Sequence, residues 1–221
     1  MDGVAQLFFG LSFIVNLVVI GGLWWATGYE TRDRPFWRSL AVGWTLSLVA
    51  NLAWITYDVL TGRSLPPLSA IDTFYLARYF LVGLAFWGYP EPLSWRQGLG
   101  LLGVMVGTAG LAWFGHYRSV WRSVEIALAD FLGVAAYPVL DAGVIYCGLV
   151  RLRVTRDDPT RGLKGMVVAS LVMYGVANWL NFNLRMGLLD PVSLWPTVFW
   201  MLCDVGIGTA VMTYGLRQRE G

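Results

Sequence analysis

Two stretches of this chain read as copies of one another, and each leads into a run apolar enough to span a bilayer. Thr31-Arg32-Asp33-Arg34-Pro35 precedes a hydrophobic run containing Val49-Ala50-Asn51, and Thr155-Arg156-Asp157-Asp158-Pro159 precedes one containing Val176-Ala177-Asn178. The first pair recurs at a shift of 124 residues (155 against 31) and the second at 127 (178 against 51), so a slippage of about three residues separates the copies. Each copy continues through a short loop with proline (Pro66-Pro67; Pro191) into another apolar run. A repeat of this kind in a membrane protein places the working cavity between its halves.

Composition agrees with that reading. Of 221 residues, 57% are hydrophobic and only 14% charged, which fits an integral membrane protein rather than a soluble domain. A spanning helix needs roughly 20 predominantly apolar residues. Seven stretches meet this, at about Leu7–Ala26, Leu40–Leu60, Phe74–Trp87 with its flanks, Gly98–Phe114, Ala127–Val150, Met166–Met186 and Leu194–Leu216. The expected fold is an all-α membrane bundle forming one transmembrane domain over 1–221. It divides into a first three-helix repeat (about 4–88), a linker helix (about 96–115) and a second repeat (about 125–217). Because the linker is a single pass, the repeats run the same way, a parallel 3+1+3 arrangement. The leading Met1-Asp2-Gly3 is acidic rather than basic, and the run behind it is long enough to span, so it does not read as a cleaved signal peptide. Cys147 and Cys203 fall inside predicted helices and read as buried thiols.

Net charge is only +2, but its distribution sets an orientation. Arg32, Arg34, Arg38, Arg96, Arg151, Arg153, Arg156, Arg161, Lys164, Arg217 and Arg219 follow helices 1, 3, 5 and 7, while only Arg63, Arg118, Arg122 and Arg185 lie opposite. The positive-inside rule then puts the N-terminus outside and the C-terminus in the cytoplasm, in an inner membrane. Trp37, Trp95, Trp121 and Trp195 flank helix ends as interfacial anchors. The basic loop after helix 5 needs no nucleic acid to explain it, since topology suffices and no nucleic-acid-binding motif accompanies it.

Ionisable groups inside spanning helices mark function or structural pairing. Here they are Asp58, Asp72, Arg78, Glu125, Asp130, Asp141 and Asp204. Asn178, Asn181 and Arg185 share one face of helix 6, and Asn51, Trp54 and Asp58 form the matching stripe on helix 2. Two readings stand. In one, the charges pair internally, with Arg78 neutralised by Asp204 or Asp141. In the other, Asn51, Trp54, Asp72, Arg78, Asp141, Asn178, Trp179, Asn181 and Asp204 line a ligand pocket open to the outside. An Arg78–Asp204 ion pair between the halves serves both.

Several chemistries are set aside. The only lysine, Lys164, is placed in a cytoplasmic loop, which excludes a retinal Schiff base within the bundle, and the single histidine, His116, cannot supply bis-histidine haem ligation. No His/Cys cluster suggests zinc, and no nucleophile elbow, P-loop or dinucleotide fingerprint occurs. An intramembrane hydrolase using Asp72, Asp141 or Asp204 lacks a paired motif. Gly103 and Gly107, with Gly100, permit close helix approach, either within the bundle or at a homodimer face. Pro138 should kink helix 5 close to Asp141.

Pro66-Pro67-Leu68-Ser69-Ala70-Ile71-Asp72-Thr73-Phe74-Tyr75-Leu76 resembles the second loop of the multi-pass sensor regions N-terminal to bacterial diguanylate cyclases (GGDEF proteins) and histidine kinases, which reads Pro-x-Pro-Ser-x-x-Asp-x-x-Tyr-Leu. Tyr137-Pro138-Val139-Leu140-Asp141 resembles a Tyr-Pro-x-x-Asp element in their later half. The resemblance implies a non-enzymatic membrane input module. No output domain follows helix 7 in this sequence, so it implies a free-standing relative or a separate cytoplasmic signalling partner. A second analogy is architectural: SWEET sugar transporters also have 3+1+3 repeats with asparagine and tryptophan in a central pocket, although their Pro-Gln motif is missing here. The orientation is directly testable. A cytoplasmic reporter fused after Gly221 should be active and a periplasmic one silent; the reverse would overturn the topology.

Overall fold

A computed structural model describes residues 3–62, 69–87, 94–117, 128–185, 187–190 and 194–220, apart from side chains at 3–6, 9, 116, 117, 128–130 and 220. Among these residues the chain is all-helical, with seven α-helices: α1 (Gly3–Ala26), α2 (Arg34–Thr61), α3 (Asp72–Trp87), α4 (Trp95–Ala112), α5 (Leu128–Val154), α6 (Arg161–Arg185) and α7 (Trp195–Glu220). A short π turn, Trp113–Tyr117, closes α4. Five helices are long and apolar enough to cross a membrane, namely α2, α4, α5, α6 and α7. Their outer faces are apolar as well, with Val49, Leu52 and Val59 on α2 and Leu102, Val106 and Leu111 on α4 all exposed. Such a surface suits lipid, and the chain is a multi-pass membrane protein.

Several helices begin earlier than apolarity alone predicts. The second starts at Arg34 rather than Leu40, because Pro35 in the first turn is already set to helical φ and the arginines there are good helix formers. The sixth starts at Arg161, which brings Lys164 into α6 instead of a loop. The fifth runs through Pro138 and on to Val154, so Arg151 and Arg153 belong to its last turn. Ser94 and Gln97 form a capping box that starts α4. Gly62 ends α2 in the left-handed conformation, its amide returning to the Asp58 carbonyl.

Six helices close into a ring in the order α1–α2–α3–α5–α6–α7, with α7 returning to α1, while α4 packs outside the ring against α5. The main core fills the ring with Trp37, Trp44, Phe36, Phe86, Leu40, Ile207 and Tyr214. Trp37 is therefore no interfacial anchor: it is fully buried, its ring 5.0 Å from that of Tyr214. Trp95 and Trp195 are exposed at helix starts, as interfacial residues are, and Trp121 lies outside the described residues. Both cysteines are buried and free. A smaller cluster of Ala112, Phe131, Val134, Ala135 and Phe182 holds the end of α4 to α5 and α6.

One end of the bundle is fastened by two cations. Lys164, 2% exposed, donates at 2.7 Å to Asp33, the N-cap of α2, and at 2.7 Å to Asp158 in the loop before α6. Arg151 donates to the carbonyls of Phe86 and Trp87 at 2.7 and 2.6 Å, so a guanidinium from α5 answers the orphan carbonyls ending α3. All eleven basic residues of the orientation argument lie at helix ends or loops on this side. Burial raises the Asp158 carboxyl, but the Lys164 ammonium and the hydroxyl and amide of Thr160 outweigh it and hold its pKa below the usual value. A depressed folded pKa means that the Asp158 contact contributes fully above the unfolded carboxylate value of about 4 and is lost as pH falls through the lower folded one. Thermal melts in detergent should thus show this contribution lost below about pH 4. Lys164→Ala should cost about 3 kcal/mol or more at pH 7 by stranding two carboxylates.

Candidate functional site

Arg78 lies midway along α3, 4% exposed, with its guanidinium over aromatic rings instead of against a carboxylate. Its Cζ is 4.0 Å from the Tyr174 ring centroid, 4.8 Å from that of Tyr79 and 5.4 Å from that of Trp44. Among the described residues no carboxylate oxygen comes within 4.0 Å of its nitrogens, so the expected Arg78–Asp204 ion pair does not form. The π faces of three rings answer the cation instead, each desolvated contact being worth ~1–2 kcal/mol. The stem of Arg78 crosses α2 at Gly43, where a Cβ would stand 3.2 Å from Cγ of Arg78. A side chain there would press the Arg78 stem back by a few tenths of an ångström.

Asp204 and Asp141 are each held by donors of their own. Asp204 on α7 accepts from Trp44 Nε1 at 2.9 Å and from Asn16 Nδ2 at 3.1 Å, tying α7 to α2 and α1. Asp141 on α5 accepts from the Tyr79 hydroxyl at 2.8 Å and from Asn178 Nδ2 at 2.7 Å. Asn178 Nδ2 also donates to the Tyr79 oxygen at 2.8 Å, and its own Oδ1 accepts from Trp200 Nε1 at 3.0 Å. Arginine, two aspartates and two asparagines thus share one aromatic-walled level of the ring. Asn16 Oδ1 there, and Ser47 Oγ one turn beyond Trp44 on α2, are buried without a hydrogen-bond partner among the described residues.

A second cluster lies at the start of α3. Asp72 accepts from the amide and hydroxyl of Ser69 at 2.7 and 3.0 Å, and from the Tyr137 hydroxyl. The Ser-x-x-Asp element is therefore a turn leading into α3, whose aspartate is gripped by the tyrosine of the Tyr-Pro-x-x-Asp element. The aspartate of that second element, Asp141, is held by Tyr79. Asn51 accepts from the Tyr75 hydroxyl, and the rings of Tyr75 and Tyr79 each stand 6.1 Å from that of Tyr137. A tyrosine ladder so runs from Asp72 to Asp141.

The candidate residues divide accordingly. Arg78, Asp141, Asn178 and Asp204 gather at the centre, and Asp72 and Asn51 join them through the ladder. Trp54 and Asn181 are half-buried and make no hydrogen bond or ring contact among the described residues. Trp179 packs on Phe182 in the smaller apolar cluster, away from the Asn178 amide. Along the face shared by Asn178, Asn181 and Arg185, burial falls step by step to an exposed Arg185. Glu125, the side chain of Asp130 and Pro66-Pro67 lie outside the described residues. Asn16, Tyr79, Tyr174 and the hydrogen-bonding role of Trp44 were not picked out from sequence. Asn16 could have been found, as the only amide in a run from Leu7 to Ala26; the tyrosines resemble ordinary core residues. Among the described residues no group of three or more His, Cys, Asp or Glu could hold a metal ion. Comparison with protein-family models, with curated proteins and with solved structures finds no match.

Because Tyr79 and Asn178 both donate to Asp141 and bond each other, Tyr79→Phe and Asn178→Leu should each cost about 1–3 kcal/mol. Together they should fall short of the sum by about 0.5 kcal/mol or more. A cycle of unfolding free energies in detergent measures this; strict additivity would show the two contacts to be independent.

Proposed function

We propose that this chain is a membrane-embedded sensing module of bacterial signalling type, which binds a small polar ligand between two three-helix halves. It lies in the cytoplasmic membrane with its N-terminus outside, and relays the change through its cytoplasmic end to a separate signalling protein. The observation that carries this reading is the reach of the polar network. Asn16, Trp44, Arg78 with Tyr79, Asp141, Asn178 with Tyr174, and Asp204 with Trp200 come from α1, α2, α3, α5, α6 and α7 in turn. A ligand that replaced one partner would alter the contacts of every helix in the ring, which is what an input module requires.

The bonding pattern supports the two-halves reading. The Asn16–Asp204 and Asp141–Tyr79 bonds correspond to one another, each member of one lying 125 residues from its counterpart in the other (16 and 141; 79 and 204). Tyr75 to Asn51 and Trp200 to Asn178 correspond likewise, at 125 for the aromatic and 127 for the asparagine. Asp33 and Asp158, both on Lys164, keep the spacing of 125. Alternating access would have to break the Lys164 clasp and uncover Arg151, both buried, which favours sensing over SWEET-like transport. The separate donor sets of Asp141 and Asp204 give no support to a carboxylate hydrolase. Gly103 and Gly107 on α4 have open space where a Cβ would stand, whereas Gly100 meets Tyr146, so the pair is free for a homodimer contact.

With Cys147 and Cys203 replaced by alanine, cysteines introduced at Asn51 and Asn181 should react with membrane-impermeant thiol reagents from outside only. Labelling from both faces, together with solute uptake into proteoliposomes, would replace the sensor by a transporter.

A further inference from the structure

The repeated Thr-Arg-Asp segments have a job that the central site leaves unassigned. Their threonines, and the aspartates Asp33 and Asp158, are occupied within the protein. Thr31 bonds the Tyr214 hydroxyl, Thr155 donates to the Arg151 carbonyl at 2.9 Å, and Asp33 and Asp158 hold Lys164. The arginines are not occupied. Arg32 and Arg156 are exposed, and among the described residues neither makes a hydrogen bond or ion pair. Yet both line one cavity of about 310 Å³, formed where the α1–α2 and α5–α6 loops meet. Two loops 124 residues apart in sequence (32 against 156) thus bring two partnerless guanidiniums to one concavity.

The chemistry of the lining narrows what fits. Guanidinium forks match the oxygens of a phosphate, and two forks from different loops can grip one phosphate from two sides. Asp33 and Asp158, in the same wall, are already neutralised in part by Lys164. Asp157, also lining the cavity, is exposed and without a partner among the described residues, so it opposes further negative charge and can accept from an ammonium. The volume is at the lower end of small-ligand sites. The cavity lies where α5 ends at Val154 and α2 and α6 begin at Arg34 and Arg161, the level at which headgroups border a spanning bundle. We propose that this cavity binds the phosphate of a membrane-lipid headgroup through Arg32 and Arg156, and that Asp157 favours a headgroup carrying an amine.

Native mass spectrometry of the full chain in detergent, titrated with phosphatidylethanolamine and phosphatidylglycerol, tests this. The Arg32→Gln, Arg156→Gln double variant should bind phosphatidylethanolamine about tenfold more weakly or worse. Arg38→Gln, an exposed arginine outside the cavity, should stay within about twofold of the unmodified chain. Asp157→Asn should narrow the preference for phosphatidylethanolamine over phosphatidylglycerol. Among the described residues neither cavity arginine makes a hydrogen bond or ion pair, so the double variant should melt with the unmodified chain. Equal lipid binding by the double variant, or an equal loss with Arg38→Gln, would overturn the site. Calorimetric binding of inorganic phosphate or phosphoethanolamine that needs both arginines, beside lipid binding that needs neither, would overturn the lipid assignment in favour of a soluble phosphate compound.

Discussion

Inside a hydrocarbon layer a polar side chain has no water to return to, so a charge left unanswered by another part of the chain is costly. Arg78 is the hardest case here, a guanidinium buried halfway along α3. The fold answers it with three aromatic rings from α2, α3 and α6, and leaves the two nearby carboxylates to other donors. Trp44 serves both needs at once, presenting its ring to Arg78 and its Nε1 to Asp204. Moving any one of these residues would strand another, which ties the six ring helices into one cooperative unit.

The opposite economy operates at the clasped end. Lys164 and Arg151 are among the most buried polar residues of the protein, yet each is met by two oxygens at 2.6–2.7 Å. Lys164 joins the starts of α2 and α6, and Arg151 joins the ends of α3 and α5. The start of α3 is held by other means, the Tyr137 hydroxyl on Asp72, the Ser69–Asp72 turn and the Tyr75 hydroxyl on Asn51. Helix α4 lies outside the ring and packs on α5, its end held by the smaller apolar cluster.

Much of this plan could be read from the residues. Seven apolar runs became seven helices, and Arg78, Asp141, Asn178 and Asp204 inside them meet in the central network, whereas Asn181 stands apart from it and Asn16, which belongs to it, went unmarked. Misreadings came where one residue has two physical solutions. Arg78 beside two aspartates invites an ion pair, but a cation–π cage serves as well, and only packing decides between them. Trp37 flanks a helix start, as anchors do, yet turns inward onto Tyr214. Lys164 lies in a polar stretch, but a helix needs no apolar first turn, and α6 begins three residues before it.

The sequence by itself determined the class and number of the elements, because hydropathy and the length of a bilayer span are local properties. It also marked Ser-x-x-Asp and Tyr-Pro-x-x-Asp as special, without saying that they meet. The tertiary structure alone decided the partners: Tyr137 for Asp72, Tyr79 and Asn178 for Asp141, Asn16 and Trp44 for Asp204, and two distant aspartates for one lysine. A hydrogen bond or a ring contact depends on ångström-scale placement of groups up to 188 residues apart, and no local pattern carries that distance.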